Sequence, residues 1–353
     1  MGDIIARAPL EGSLDVLDFL SSHNVTGVRG NHDQKVIEWY GWINWITSLH
    51  GGQRWLNRLE ERWSDATELD SHIDLKLWLE KERKADKSKE WWNLIPKGWV
   101  PLGDHYRIAK GMSGEQFRYL LQLPLRLYIP HVHAFIVHAG LLPADPRYPL
   151  DDKRQPLARI PKAKDHELDV EKLRQLQELS LISQVPQNAD PWVILNMRSV
   201  LDGEVRKGKK GIFWTKIWRE QMDRCGGFNM DDFALNRDLE GATKHSKLPC
   251  YPISTIYGHT ASKGLDIHRW TFGLDSGCVS EFDYDYVLVL RIPFQAYKRT
   301  LSALIIGGED PGAGETDMDD SEEDNIEERS TSRKRSSFKF SDNLEARVVS
   351  VGC

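Results

Sequence analysis

Val28-Arg29-Gly30-Asn31-His32-Asp33 closes a short β-prone run at residues 26–28. A neutral Asn oxygen beside a His at the end of a strand can hold a divalent ion and set an imidazole next to it. The stretch gains weight from two later ones of the same kind, Ile136-Val137-His138-Ala139-Gly140 and Ile256-Tyr257-Gly258-His259. Each sets a His just after an apolar run and beside a glycine that lets backbone pass close to an ion. Near the start, Gly2-Asp3-Ile4-Ile5-Ala6-Arg7 adds a carboxylate and a guanidinium. Strands are expected at residues 26–28, 134–137, 254–257, 301–306 and 346–351, separated by helical stretches, which predicts an α/β fold. In that class the chemistry sits on loops at the carboxyl ends of strands.

Between residues 39 and 129 the pattern is helical and rich in tryptophan: Trp39, Trp42, Trp45, Trp55, Trp63, Trp78, Trp91 and Trp92. It reads as a packed helical cap, with an aromatic platform for substrate as the sharper alternative. Another helix is expected over 165–183, followed by a loop at 185–191. Eleven acidic residues lie between Glu309 and Glu328 with no basic residue among them, so the formal charge of −6 becomes +5 without that segment. A mildly basic folded part suits an anionic substrate and falls short of a dedicated nucleic-acid binder. Composition predicts disorder over 307–338, a final strand within 339–353, and one large domain over 1–306. No run is long and apolar enough to span a membrane, and the first residues carry no signal-peptide pattern. Cys225, Cys250, Cys278 and Cys353 form no CxxC pair and read as isolated thiols, with a Cys225–Cys250 disulfide, which would need an oxidising compartment, as the alternative. Asn24-Val25-Thr26 matches the glycosylation triplet but is expected to run into a buried strand.

Together, Gly2-Asp3, Gly30-Asn31-His32-Asp33, His138-Ala139-Gly140 and Gly258-His259 resemble the calcineurin-like metallophosphoesterase superfamily. Leu274-Asp275-Ser276-Gly277-Cys278 and Asn196-Met197-Arg198 are similar to its phosphoprotein-phosphatase and diadenosine-tetraphosphatase branch. Pro191-Trp192-Val193-Ile194-Leu195-Asn196-Met197-Arg198 and Leu248-Pro249-Cys250-Tyr251-Pro252 look most like the yeast-type vacuolar endopolyphosphatases. The resemblance implies a β-sandwich flanked by helices, with the tryptophan-rich segment inserted at about 39–129. It implies two divalent ions (Mn, Zn, Fe or Co), with Asp3 bridging them and Asn31, His138 and His259 completing the shell of the second ion. His32 would protonate the leaving oxygen, while Arg7 and Arg198 would hold phosphoryl oxygens as guanidinium groups do well. Arg206, Lys207, Lys209 and Lys210 are candidates for a rim that meets a polyanion. The implied activity is hydrolysis of phosphoanhydride bonds, foremost in polyphosphate, and the implied location is the vacuolar lumen.

The sequence departs from the family in three places. The Asp-x-His that should precede Asp3 is absent, which leaves the first metal's shell incomplete, and Ala6 stands where phosphatase relatives carry Asp or Asn. Residues 279–295 interrupt a turn that relatives close directly, and Val279-Ser280 and Phe294-Gln295 can be encoded as the two ends of a retained intron. Gly103-Asp104-His105 imitates a phosphoesterase motif out of chain order and reads as a decoy. His23, His50, His72, His131, His133, His166, His245 and His268 read as structural or exposed. The competing readings are a dinucleoside tetraphosphatase, a Ser/Thr protein phosphatase and a noncatalytic phosphate-binding remnant.

Overall fold

The computed structural model describes residues 2–5, 9–86, 88–162, 169–228, 247–275, 300–306, 337–340 and 344–352. The insert at 279–295, the acidic segment at 307–336, Arg7, His166, His245, Cys278 and Cys353 lie outside them. The chain forms two compact units, one within Met1–Leu127 and the other within Tyr128–Cys278 and Tyr284–Cys353.

The described elements of the first unit are helices: α1 (Leu10–Ser22), α2 (Asn31–Ser48), α3 (Gly52–Leu69), α4 (Leu75–Ala85), α5 (Lys89–Asn93), α6 (Asp104–Gly111) and α7 (Gly114–Gln122). Local signals start several of them. Asp74 caps α4 by accepting from Leu77 N at 2.8 Å, and Ser113 and Gln116 form a reciprocal capping box at α7. The tryptophans are mainly core. Trp39, Trp42, Trp55, Trp78 and Trp92 are buried, and of the eight only Trp45 is exposed, at 45%. Trp39 meets Trp42 and Tyr106 edge-on, with centroids 5.2 and 5.3 Å away. Indole N–H groups need partners when buried. Trp55 and Trp92 both donate to the Asp86 carboxylate, at 3.2 and 2.9 Å, and Trp42 donates to Leu94 O at 3.0 Å. This packing leaves little of an aromatic platform.

Residues 26–28 form no strand. Its neighbour Arg29 donates one backbone bond to Pro124 O at 2.9 Å, but among the described residues no strand pairs with the stretch to build a ladder. β-propensity makes a strand only where a partner edge exists.

The division between units falls within β1 (Arg126–Ile129). The second unit continues through β2 (Ala134–Val137), α8 (Val170–Gln184), α9 (Pro191–Asn196), β3 (Ser199–Leu201), β4 (Glu204–Arg206), β5 (Ile212–Phe213), α10 (Trp214–Met222), β6 (Ser254–Tyr257), β7 (Asp266–His268), β8 (Thr271–Gly273), β9 (Thr300–Ile306), β10 (Ser337–Phe340) and β11 (Leu344–Gly352). α8 starts at Val170, later than expected, because Asp169 caps it through Lys172 N at 2.8 Å. α9 begins where the expected loop ends, and its start is legible: Asp190 caps Trp192 N, and Pro191 fills a position that has no N–H to satisfy.

One sheet has the order β1-β2-β6-β8-β7, with β2, β6 and β8 parallel and β7 antiparallel to β8. A second has the order β10-β11-β9, all antiparallel, and a third is the small β4-β3-β5 sheet. Phe272 of β8 stacks on Phe338 of β10 and meets Phe340 at a tilt, with centroids 5.6 and 4.6 Å apart, so the first two sheets meet through aromatic side chains. The fold is therefore α/β, as predicted. No helix among the described residues is long and apolar enough to cross a membrane.

The thiol expectation fails for one pair. Cys225, just after α10, and Cys250, shortly before β6, form a disulfide with Cα atoms 4.7 Å apart. The bond joins residues 25 apart in sequence and is the alternative pairing that the sequence left open. Space brings it out because Leu248 and Cys225 bridge in parallel and Trp218 of α10 donates to Ile253 O at 2.9 Å.

Candidate functional site

The candidate residues fall into two groups, one in each unit. In the first unit the group is built around the start of α2. Gly30 is the N-cap, and Asp33, fully buried, reaches back to accept from Gly30 N at 2.8 Å. The same carboxylate accepts from Asp3 N at 2.9 Å and Ile4 N at 3.0 Å. In return the Asp3 carboxylate accepts from His32 N at 2.8 Å. Two acidic side chains thus sit at a helix N-terminus, where free N–H groups and the dipole favour negative charge. The contact is too close for any side chain at position 30. A Cβ there would lie 2.1 Å from Asp3 N, so glycine is required by space. Burial pulls the Arg29 guanidinium below its ordinary value, against the opposing charge of Asp33.

The sequence alone gives Asp33 no role and makes His105 a decoy. In the structure His32 Nδ1 and His105 Nε2 are 2.8 Å apart, with ring planes 16° from parallel and centroids 5.0 Å apart. A nitrogen contact so much shorter than the centroid distance means the rings meet by their edges, as an N–H···N hydrogen bond requires. His105 stands on α6, which packs on α2; order along the chain concealed a neighbour in space. The signal that could have found it is the short-range spacing of α6, whose buried residues Tyr106 and Ala109 fix which way the helix faces. Asn31 opens α2 and is half-buried.

In the second unit, His138 follows β2 and His259 follows β6, the two carboxyl ends of neighbouring parallel strands. The loops stay in register, because Gly258 N donates to His138 O at 2.9 Å. Both rings are buried, 1% and 8% exposed, and His138 Nε2 lies 3.1 Å from His259 Nδ1. His259 has φ +67, a conformation rare for residues with a side chain, which marks backbone held in place by its surroundings. The separation serves an N–H···N bond and equally two ligands of one ion. Metal–nitrogen bonds of about 2.0–2.1 Å in tetrahedral or octahedral arrangement put two nitrogens about 3 Å apart. By donor chemistry and spacing, this pair fits a divalent ion.

Arg198 ties the loop after β6 to the loop after β4. Its Nη2 donates to His259 O at 3.0 Å and its Nη1 to Lys207 O at 3.1 Å. The hairpin of β3 and β4 and the loop after it carry Arg206, Lys207, Lys209 and Lys210, all exposed. Ser199 Oγ fixes that loop through Gly208 O and Lys210 O at 2.8 and 2.6 Å, and Lys209 Nζ donates to Ser262 Oγ at 2.8 Å. Behind His259, Tyr257 donates its hydroxyl to Asp266, which also pairs with Lys263 at 2.9 Å. Burial pushes Asp266 up, but those bonds outweigh it and hold the carboxyl below its ordinary value. Ala139 N donates to Ile194 O at 3.1 Å, which ties the loop after His138 to α9 and so to Arg198.

No family model matches the chain, and no curated protein matches it. Among solved structures, the crystal structure of a "putative diadenosine tetraphosphatase" aligns with 79% of this chain and 69% of its own at 16% identity and a TM-score of 0.35. A likeness of that size transfers neither fold nor activity.

Proposed function

We propose that this chain is a divalent-metal-dependent phosphohydrolase that cleaves phosphoanhydride bonds, and that its substrate is polyphosphate. The observation that carries the reading is the buried His138–His259 pair at the ends of parallel strands, with an arginine bonded to the same loop. In this reading His138 and His259 would serve as nitrogen ligands, and Asp3 and Asn31 as oxygen ligands. The ions, Mn, Zn, Fe or Co, would supply charge neutralisation at phosphorus and an activated water. The protein's own work is positioning. His32 gives a proton to the leaving oxygen, and His105 holds its Nδ1 side so that Nε2 handles the proton. Arg198 and Arg7 grip phosphoryl oxygens.

Polyphosphate is favoured over a dinucleotide by two features. Four exposed basic residues follow Arg198 in the β3–β4 hairpin and the loop after it, and most of the tryptophans in the helical segment, which could have stacked on adenine, are buried in a core. Residence in the vacuolar lumen belongs to the same proposal, supported by the Cys225–Cys250 disulfide, which persists in oxidising compartments. The test compares long-chain polyphosphate with diadenosine tetraphosphate, using full-length protein stripped of metal and reloaded with Mn, Zn or Co. Shortening of polyphosphate chains that disappears in His32→Ala and Asp3→Asn is the expected result. Preferential dinucleotide cleavage would reassign the substrate, and no cleavage of either would refute the enzyme reading.

A further inference from the structure

We infer that Asn24 is an N-glycan acceptor, on grounds independent of the phosphohydrolase reading. Asn24-Val25-Thr26 is the single Asn-x-Ser/Thr triplet in the chain. Its expected burial was the reason to discount it, and the structure removes that reason. α1 ends at Ser22, and residues 23 and 24 turn, with Asn24 at φ 46. Asn24, Val25 and Thr26 are all exposed. A glycan attached to the nascent chain is compatible with folding only where the folded chain leaves it outside, and this turn does so.

Two further observations point the same way. The disulfide between Cys225 and Cys250 requires an oxidising compartment, the lumen in which N-glycans are added. Beside the triplet lies an apolar surface that is exposed among the described residues: Val16 and Phe19 of α1 and Val25, Phe19 at 58%, with Phe19 stacked on His23 next to Asn24. A bulky hydrophilic glycan at Asn24 would screen that surface from solvent and from other chains.

The reaction is a group transfer from a lipid-pyrophosphate-linked oligosaccharide. A bond forms between Asn24 Nδ2 and the anomeric carbon of the sugar, and the bond from that carbon to the pyrophosphate oxygen breaks. The amide nitrogen loses one proton, and the lipid pyrophosphate leaves.

The full chain, carrying a C-terminal tag at its own locus, is purified from its host without reductant and treated with a peptide N-glycosidase. The expected result is a fall in mass on treatment, with Asn24 converted to Asp by the glycosidase and the Cys225 and Cys250 peptides recovered as one linked species. Asn24→Gln and Thr26→Ala should each lose the shift, and Thr26→Ser should keep it. Thr26→Ala preserves the test should the left-handed turn fail to accept Gln. Recovery of the residue 24 peptide chiefly as unmodified Asn, or a shift that survives Thr26→Ala, would overturn the inference.

Discussion

The loop before α2 and the loops after β2 and β6 carry the same residue types, yet they are held by different means. In the first unit one carboxylate, Asp33, accepts from three backbone N–H groups and fixes residues 3, 4 and 30 around itself. In the second unit His138 and His259 are carried by a parallel sheet whose backbone bonds continue past the strand ends. The first arrangement concentrates its stability in one side chain; the second distributes it over a ladder. Motif residues of either kind are visible in a sequence, but the support behind them is visible only where it is periodic.

The largest expected effect that separates the two is on turnover. Removing the His32 imidazole should lower kcat by about 10²–10⁴-fold, the usual contribution of a positioned proton donor. His105→Ala should lower kcat by less and leave KM for polyphosphate nearly unchanged. Equal losses in kcat and KM would move His105 from positioning to plain structure.

Next in size is Asp33→Ala, which leaves three buried or half-buried donors without their acceptor and should cost about 3–5 kcal/mol. The loss is read by urea unfolding and by hydrogen exchange at Asp3, Ile4 and Gly30. Exchange there unchanged from wild type would break the single-carboxylate account. In the second unit, Cys225→Ser with Cys250→Ser should cost about 3 kcal/mol through the loop it frees, with a matching fall in midpoint for reduced wild type.

A smaller pair of substitutions sharpens the contrast. A Cβ at Gly140 would lie 2.4 Å from the buried Trp214 ring, whereas one at Gly30 would strike the backbone of Asp3. Gly140→Ala should lower overall stability by about 1–3 kcal/mol. Gly30→Ala should instead displace residues 2–5, with activity falling more than the melting temperature. Melting shifts of equal size in the two variants would show that both loops are supported alike.

The smallest effect is on acid stability. Burial pushes Asp86 up, but bonds from Ser88, Trp92 and Trp55 outweigh it, so its folded value lies below the ordinary carboxylate one. A depressed carboxylate stabilises the fold above its unfolded value of about 4 and stops doing so as pH falls through the folded value. Stability of the first unit should therefore decline below about pH 4, and Asp86→Asn should flatten that decline. An unaltered acid limb in the variant would remove Asp86 as its cause.

The strands at 134–137 and 254–257 were legible to the residue, because apolar runs there end abruptly in His or Gly. β9 and β11 begin one or two residues earlier than expected, since strand ends depend on partner register rather than composition. The strand at 26–28 was wrong for want of a neighbour, and β3, β4, β5, β7 and β8 are only two or three residues long, too short for alternation to appear. Of the candidate site, His32, His138, His259 and Arg198 are marked in the sequence by their motifs, and the Cys225–Cys250 pair is open there as an alternative. The contact of His105 with His32 and the role of Asp33 are not, because each is a contact between distant stretches with no local pattern to announce it.

The central claim rests on His138 and His259 holding a divalent ion. Equilibrium dialysis of full-length protein against Mn or Zn, followed by elemental analysis, compares wild type with His138→Ala and His259→Ala. Metal retained by wild type and lost from both variants, with their fold intact by circular dichroism, is the predicted result; equal metal content in all three would contradict it.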